Sequence, residues 1–148
     1  MHKRLLIVCD SFPPNFAPRV GNLCKFLSDE YDISIITEES NRKSWPIEIN
    51  RENLHLHSIK LSSNNKYVDA LYKVGDYLFS LNDIRLFRKS VNLLKGNSYD
   101  LVFCASYYIF PLLCGKKLAK RLNIPLHIDL RDIMEQNAKA KGITNNIK

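Results

Sequence analysis

The chain has 148 residues, 45% of them hydrophobic and 25% charged, an ordinary globular composition on a length that fits one domain with its own core. Twenty-two Lys and Arg against 15 Asp and Glu leave a net charge of +7, which asks for an acidic partner: nucleic acid, an anionic membrane or a phosphorylated ligand. No apolar run reaches the ~20 residues of a membrane span, and the four cysteines form no C-x-x-C pair of the kind that marks a zinc or redox site.

The first apolar run, Leu5 to Cys9, is continuous, as expected of a strand buried on both faces. It is too short for a signal peptide, and Asp10 and Pro13-Pro14 follow it in place of a small-residue cleavage site. Asp10 to Pro18 form a Pro-rich loop, and Pro18 suits the first residue of a helix. Val20, Leu23, Cys24 and Leu27 then recur at i, i+3, i+4 and i+7, which predicts a helix to about Asp29. Ile33 to Thr37 is a second strand, and the polar stretch Glu38 to Asn53, with Trp45-Pro46, a loop. Leu54 to Leu61 alternates and predicts a short third strand; Ser62 to Lys66 is a loop.

Two helices follow. In Tyr67 to Leu81 the polar residues Asp69, Lys73, Asp76 and Ser80 form one narrow stripe and nearly everything else is apolar. In Ile84 to Lys95 a basic stripe of Arg85, Arg88, Lys89 and Lys95 opposes Ile84, Phe87, Val91 and Leu94. Leu101 to Ala105 is a fourth strand, Phe110 to Leu122 a helix with Lys116, Lys117, Lys120 and Arg121 on its polar face, and Pro125 opens a fifth strand through Asp129. The expected class is therefore α/β: a Rossmann-like open, mostly parallel sheet of order about 3-2-1-4-5 with helices on both faces, over residues 1–135. Residues 136–148 are polar and without periodicity, a tail or the start of a linker. The four cysteines all fall in apolar periodic segments and are expected to be reduced, buried thiols of a cytoplasmic protein.

In a parallel sheet the strand exits share one edge, and ligands of open α/β sheets bind there. The first strand delivers Asp10 and Ser11, the fourth Ser106, Tyr107 and Tyr108, and the fifth Asp129, Arg131 and Asp132. A helix opening near Pro18 would point free N–H groups at the same crevice, suited to phosphate, with Arg19 and Arg131 able to add charge-assisted bonds. Asp10 serves equally well as a turn or capping residue, and Asp129 and Arg131 equally well as partners in a structural ion pair. His55 and His57 share one strand face without a third ligand nearby, so no metal is expected, and His127 reads as a core residue or as one that backs a site residue. There is no G-x-G-x-x-G, no G-x-x-x-x-G-K-[ST] and no G-x-S-x-G.

Seven Lys or Arg against three Asp between Lys60 and Lys95 leave that segment basic. The stripe Arg85, Arg88, Lys89 and Lys95 is either a solvated helix face or a membrane-surface element. The apolar girth of Tyr67 to Leu81 exceeds what one packing neighbour covers, which favours contact with lipid or a further domain. Aromatics interleaved with basic residues also permit RNA binding, but no nucleic-acid module is recognisable and no nucleic acid is the expected partner.

Two segments, KRLLIVCDSFPPNFAPRVGNLCKFLSDEYDISIIT at residues 3–37 and YDLVFCASYYIFPLLCGKKLAKRLNIPLHIDLRDI at residues 99–133, together resemble the N-terminal half of a GT-B glycosyltransferase of family 4, also called group 1. The first resembles that family's strand, FPP loop, helix and second strand; the second its YD-hydrophobic strand, helix, IP strand and DxRD exit. The resemblance implies transfer of a sugar from a nucleotide-sugar donor, itself a substrate, with no cofactor. This half would hold the acceptor, a lipid-linked or other glycan acceptor in surface polysaccharide synthesis, on the inner face of the cytoplasmic membrane. The donor-binding C-terminal domain lies outside these residues, so the fragment alone is expected to be inactive.

Carried over by position, the resemblance makes Asn15, Phe16, Ala17 and Arg19 the loop that reaches donor phosphate. Phe16-Ala17 stand where many relatives have Gly-Gly, so Arg19 is expected to take over phosphate binding. Arg131 and Asp132 stand where many relatives carry His or His-Asp, and become the catalytic candidates: Arg131 to steady phosphate or Asp132, and Asp132 to orient an acceptor hydroxyl. Asp10, Ser11, Ser106, Tyr107 and Asp129 line the acceptor crevice. The competing readings are a stand-alone Rossmann-like binding or regulatory module and, less favoured, an RNA-binding domain.

Overall fold

A computed structural model describes residues 3–12, 19–39, 52–106 and 110–130. In chain order the elements are β1 (Lys3–Cys9), α1 (Arg19–Leu27), β2 (Tyr31–Glu38), β3 (Leu54–Ile59), α2 (Lys66–Phe79), α3 (Leu81–Leu93), β4 (Leu101–Ser106), α4 (Leu112–Leu122) and β5 (Leu126–Leu130). The five strands form one parallel sheet of order β3-β2-β1-β4-β5. This is the expected Rossmann-like α/β architecture, with helices on both faces.

The continuous apolar run of β1 makes it the central strand, buried on both sides from Leu5 to Cys9. Alternation then divides the core. Leu5, Ile7 and Cys9 pack with Ile33 and Ile35 of β2 against Val20 and Cys24 of α1. Leu6, Val8, Ile36 and Val102 point the other way, against Leu86 of α3 and Cys114 and Leu118 of α4. All four cysteines are buried free thiols, as expected. Burial pushes the Cys24 and Cys104 thiols up to about 12, with Asp83 and Asp10 adding to the effect at Cys104. They stay protonated and pack as small hydrophobes.

Gly115 lets α4 approach the sheet closely. A Cβ added there would lie 2.9 Å from the Cys104 Sγ and 3.0 Å from its Cβ, nearer than packed atoms tolerate. Gly115→Ala is therefore expected to lower stability by about 1–3 kcal/mol in urea denaturation, despite alanine's better helix propensity.

The second half of the helical layer departs from the sequence reading in two ways. A single residue, Ser80, separates α2 from α3; it adopts the left-handed conformation at φ 49°, so α3 begins at Leu81 rather than Ile84. α2 also turns its apolar side outward. None of its residues is fully buried, and Leu71, Val74, Tyr77 and Leu78 are exposed. Its acids provide the reason: Asp69 accepts the Ser63 N–H at 2.6 Å and Asp76 the Asn82 N–H at 2.9 Å. These two bonds hold the polar side of α2 against the preceding loop and the first turn of α3.

α3 and α4 are joined by a buried carboxylate. Asp83, 1% exposed, accepts the Cys114 N–H at 2.7 Å through Oδ1 and so caps the start of α4 from a neighbouring helix. Pro111, which precedes α4, makes no side-chain cap of its own.

Candidate functional site at the C-terminal edge of the sheet

The strand register brings the exits together. Cys9 of β1 pairs with Ala105 of β4, and Ala105 with Asp129 of β5, so these three residues form a row across the sheet. Asp10 and Ser106 stand one step beyond it. Asp10 and Ser11 are half-buried, and Phe12 folds back into the core on the α1 side.

Arg19 begins α1 beside this edge, and its guanidinium lies 3.2 Å from the Asp129 Oδ1. Arg19 remains largely exposed while Asp129 is mostly buried. The bridge ties the start of α1 to β5. Asp129 thus takes Arg19 as its partner; Arg131, the partner weighed from the sequence, lies outside the described residues. Beneath the bridge is a slot of about 380 Å³ lined by Arg19, Val20, Leu23, Phe26, Phe103, His127 and Asp129. His127 is exposed and stacks on Phe103, ring centroids 5.2 Å apart. β5 is an edge strand, so His127 is not a core residue; it lines the slot two positions before Asp129, the other place the sequence allows it.

Ser106 is brought to the edge but faces inward. It is fully buried, and its hydroxyl donates to the Phe110 carbonyl at 2.9 Å, bracing the connection from β4 to α4. Glu38, which the sequence reading places in a loop, belongs to this edge as well. It ends β2 one step past the Cys9–Thr37 pair, which makes it the neighbour of Asp10 on the next strand. Burial raises its carboxyl above the usual range, Asp76 and Asp10 add to this, and Arg85 opposes it. The signal that finds it is the exit rule already applied to Asp10: the first polar residue after a buried run. The described edge therefore carries Asp10, Glu38 and Asp129 with Arg19.

Asn15, Phe16, Ala17, Tyr107, Tyr108, Arg131 and Asp132 lie outside the described residues. Among the described residues no group of three His, Cys, Asp or Glu is placed to hold a metal ion.

The basic stripe of α3 is split. Arg85 does not face outward with the others: its guanidinium lies 3.7 Å from the Tyr72 ring centre, donates to the Leu61 carbonyl and reaches Asn82. It holds α2 to α3, so its place in a membrane-facing stripe is corrected. Lys89 is exposed but donates to the Lys60 carbonyl at 2.6 Å. Arg88 and Lys95 are exposed.

At the opposite edge of the sheet His55 lies 3.0 Å from Asp32, which also meets Arg4 at 3.5 Å. With Ser34, His57, Asn97 and Tyr99 they line a polar hollow of about 320 Å³. Burial lowers the His57 imidazole below its usual value and His55 lowers it further. The Tyr99 hydroxyl donates to the Ser34 Oγ at 3.1 Å, bracing this edge.

No family model matches the chain, and no curated protein matches it. Among solved structures, the C-terminal domain of a hydrogenase from Pyrococcus furiosus is similar, with a TM-score of 0.51 and 19% identity over 87% of this chain and 91% of that one. At that identity the likeness establishes the fold alone.

Proposed function

We propose that this chain is the acceptor-side half of a glycosyltransferase that moves a sugar from a nucleotide-sugar donor to a lipid-linked glycan acceptor at a membrane surface. The observation that carries the reading is the row Cys9, Ala105 and Asp129, which gathers three strand exits at the edge where open α/β sheets bind ligands. The resemblance of residues 3–37 and 99–133 to family 4 glycosyltransferases supports the reaction class.

In this reading Arg19 is the donor-phosphate ligand of the described edge. Its guanidinium is exposed and held near the crevice by Asp129, a carboxylate it can leave for a more highly charged phosphate. Asn15, Phe16 and Ala17 precede it in the sequence. Asp10 and Glu38 accept hydrogen bonds from acceptor hydroxyls. Burial raises the Glu38 carboxyl above the usual carboxylate range, so it holds a proton more readily than an ordinary glutamate. Arg131 and Asp132, directly after β5, work at the reacting sugar. The opposite wall of the cleft belongs to a donor-binding domain beyond these residues. Association with the inner face of the cytoplasmic membrane follows from the lipid-linked acceptor; no described helix is long and apolar enough to cross a membrane.

The test is transfer of labelled sugar by the full gene product from a panel of nucleotide sugars to a membrane lipid extract. One donor is expected to label the lipid fraction, and a stand-alone binding module would label none.

A further inference from the structure

α2 is an amphipathic helix mounted in reverse. Tyr67, Ala70, Leu71, Val74, Tyr77 and Leu78 fall at i, i+3, i+4, i+7, i+10 and i+11, the spacing of one continuous face, and all six are exposed. Tyr77 is 90% exposed and Leu71 71%. A contiguous apolar face of this kind marks a surface that another phase or molecule covers.

The charges around it select the occupant. The three acids between residues 60 and 98 are withdrawn: Asp69 and Asp76 are bound to backbone N–H groups beside the helix, and Asp83 is buried at the start of α4. The cations stay outside. Lys66 and Lys73 rim the apolar face on α2, and Arg88 and Lys89 are exposed on the neighbouring helix α3. The patch is therefore apolar in the middle and positive at its margin. A second copy of the chain would bring lysine against lysine. An anionic bilayer matches both features at once: acyl chains for Leu71, Val74 and Leu78, the headgroup level for the two tyrosine rings, and lipid phosphates for the lysines.

The helix also has the length and position for this role. Fourteen residues span about 21 Å, enough to lie in the interface and too few to cross it. β3 ends just before α2, and Asp83 at the start of α3 meets the start of α4, so both ends of α2 belong to the C-terminal edge of the sheet.

We propose that the outward face of α2 is a monotopic docking surface for an anionic lipid bilayer. This moves the membrane contact from the stripe of α3 to the face of α2, with Arg88 and Lys89 as flanking charges. It gives the transferase reading a location beside its crevice and does not depend on sugar transfer.

The experiment is co-sedimentation of the full chain with vesicles of phosphatidylcholine, alone or mixed with phosphatidylglycerol, at low and high salt. Two variants accompany it, Leu71→Glu/Leu78→Glu and Lys66→Gln/Lys73→Gln. All four side chains are solvent-exposed, so both variants are expected to keep the wild-type circular dichroism and melting temperature. The wild type is expected to bind the mixed vesicles and to leave phosphatidylcholine largely unbound. The double leucine variant should lose ~100-fold in partition. The double lysine variant should lose roughly 30-fold at low salt and less at high salt. Absence of binding to the mixed vesicles overturns the proposal, as does equal binding by wild type and the leucine variant. Self-association without lipid that the leucine variant abolishes also overturns it, and assigns the face to a second copy. Vesicle binding by a protein that transfers no sugar would leave this inference standing and remove the transferase reading.

Discussion

Asp83→Asn is expected to raise stability at pH 7 by about 1–3 kcal/mol and to flatten its dependence on pH between about 4 and 6. Burial drives the Asp83 carboxyl up from 3.8 to about 6, and Asp76 adds to the rise; the Cys114 N–H, Lys117 and the Leu113 N–H pull the other way. Between those two values the native state keeps a proton that the unfolded chain has released. Stability is therefore greatest below the unfolded value, falls as pH rises through the window, and levels off above the folded value. Asparagine keeps an oxygen for the Cys114 N–H and has no charge to bury. Denaturant titrations of both proteins at several pH values check this: the difference between the two grows as pH rises through the window, and the two converge at low pH. Equal slopes would mean that Asp83 does not titrate in this range.

Arg19→Ala is expected to weaken nucleotide-sugar binding by the full protein by ~10–100-fold, the worth of one charge-assisted bond to phosphate. Asp129→Asn should do the opposite or nothing, because it releases a guanidinium that the carboxylate now holds at 3.2 Å. Because Arg19 is largely exposed, its pair with Asp129 contributes little to stability, and neither variant should shift the melting temperature by more than a few degrees. Titration calorimetry with the nucleotide sugar and with inorganic pyrophosphate checks the sign. Loss of affinity in both variants would mean that the ion pair itself builds the site.

The elements readable in advance are those where one physical signal dominates. Continuous burial of Leu5–Cys9 and Ile33–Thr37 produces apolar runs that only interior parallel strands need, and the intervening helices then dictate the strand order. The errors share a different cause. Helical periodicity tells which residues share a face, not which neighbour that face meets. Arg85 belongs to a basic stripe by spacing, but its partners, Tyr72 and Leu61, lie on the preceding segment. α2 carries enough apolar residues for a core helix, and two aspartate bonds to Ser63 and Asn82 decide instead that its polar side faces in. Asp83 looks like an ordinary acid in the first turn of its helix; its role depends on Cys114, 31 residues away. Of the candidate site, Asp10 and Ser106 are legible because each sits at the end of a buried run, and Asp129 because it is the first acid of the fifth strand; Glu38 escapes a reading that ends β2 at Thr37.

The decisive measurement is sugar transfer by the full gene product from its preferred nucleotide sugar, comparing wild type with Arg131→Ala and Asp132→Ala under saturating donor. Removing a group that acts on developing charge at the reacting centre typically costs ~10²–10³-fold in kcat. Losses of that size in both variants, with lipid binding unchanged, are the expected result. Full activity in both variants, or no transfer by the wild type from any nucleotide sugar, would contradict the assignment of this edge as half of a sugar-transfer site.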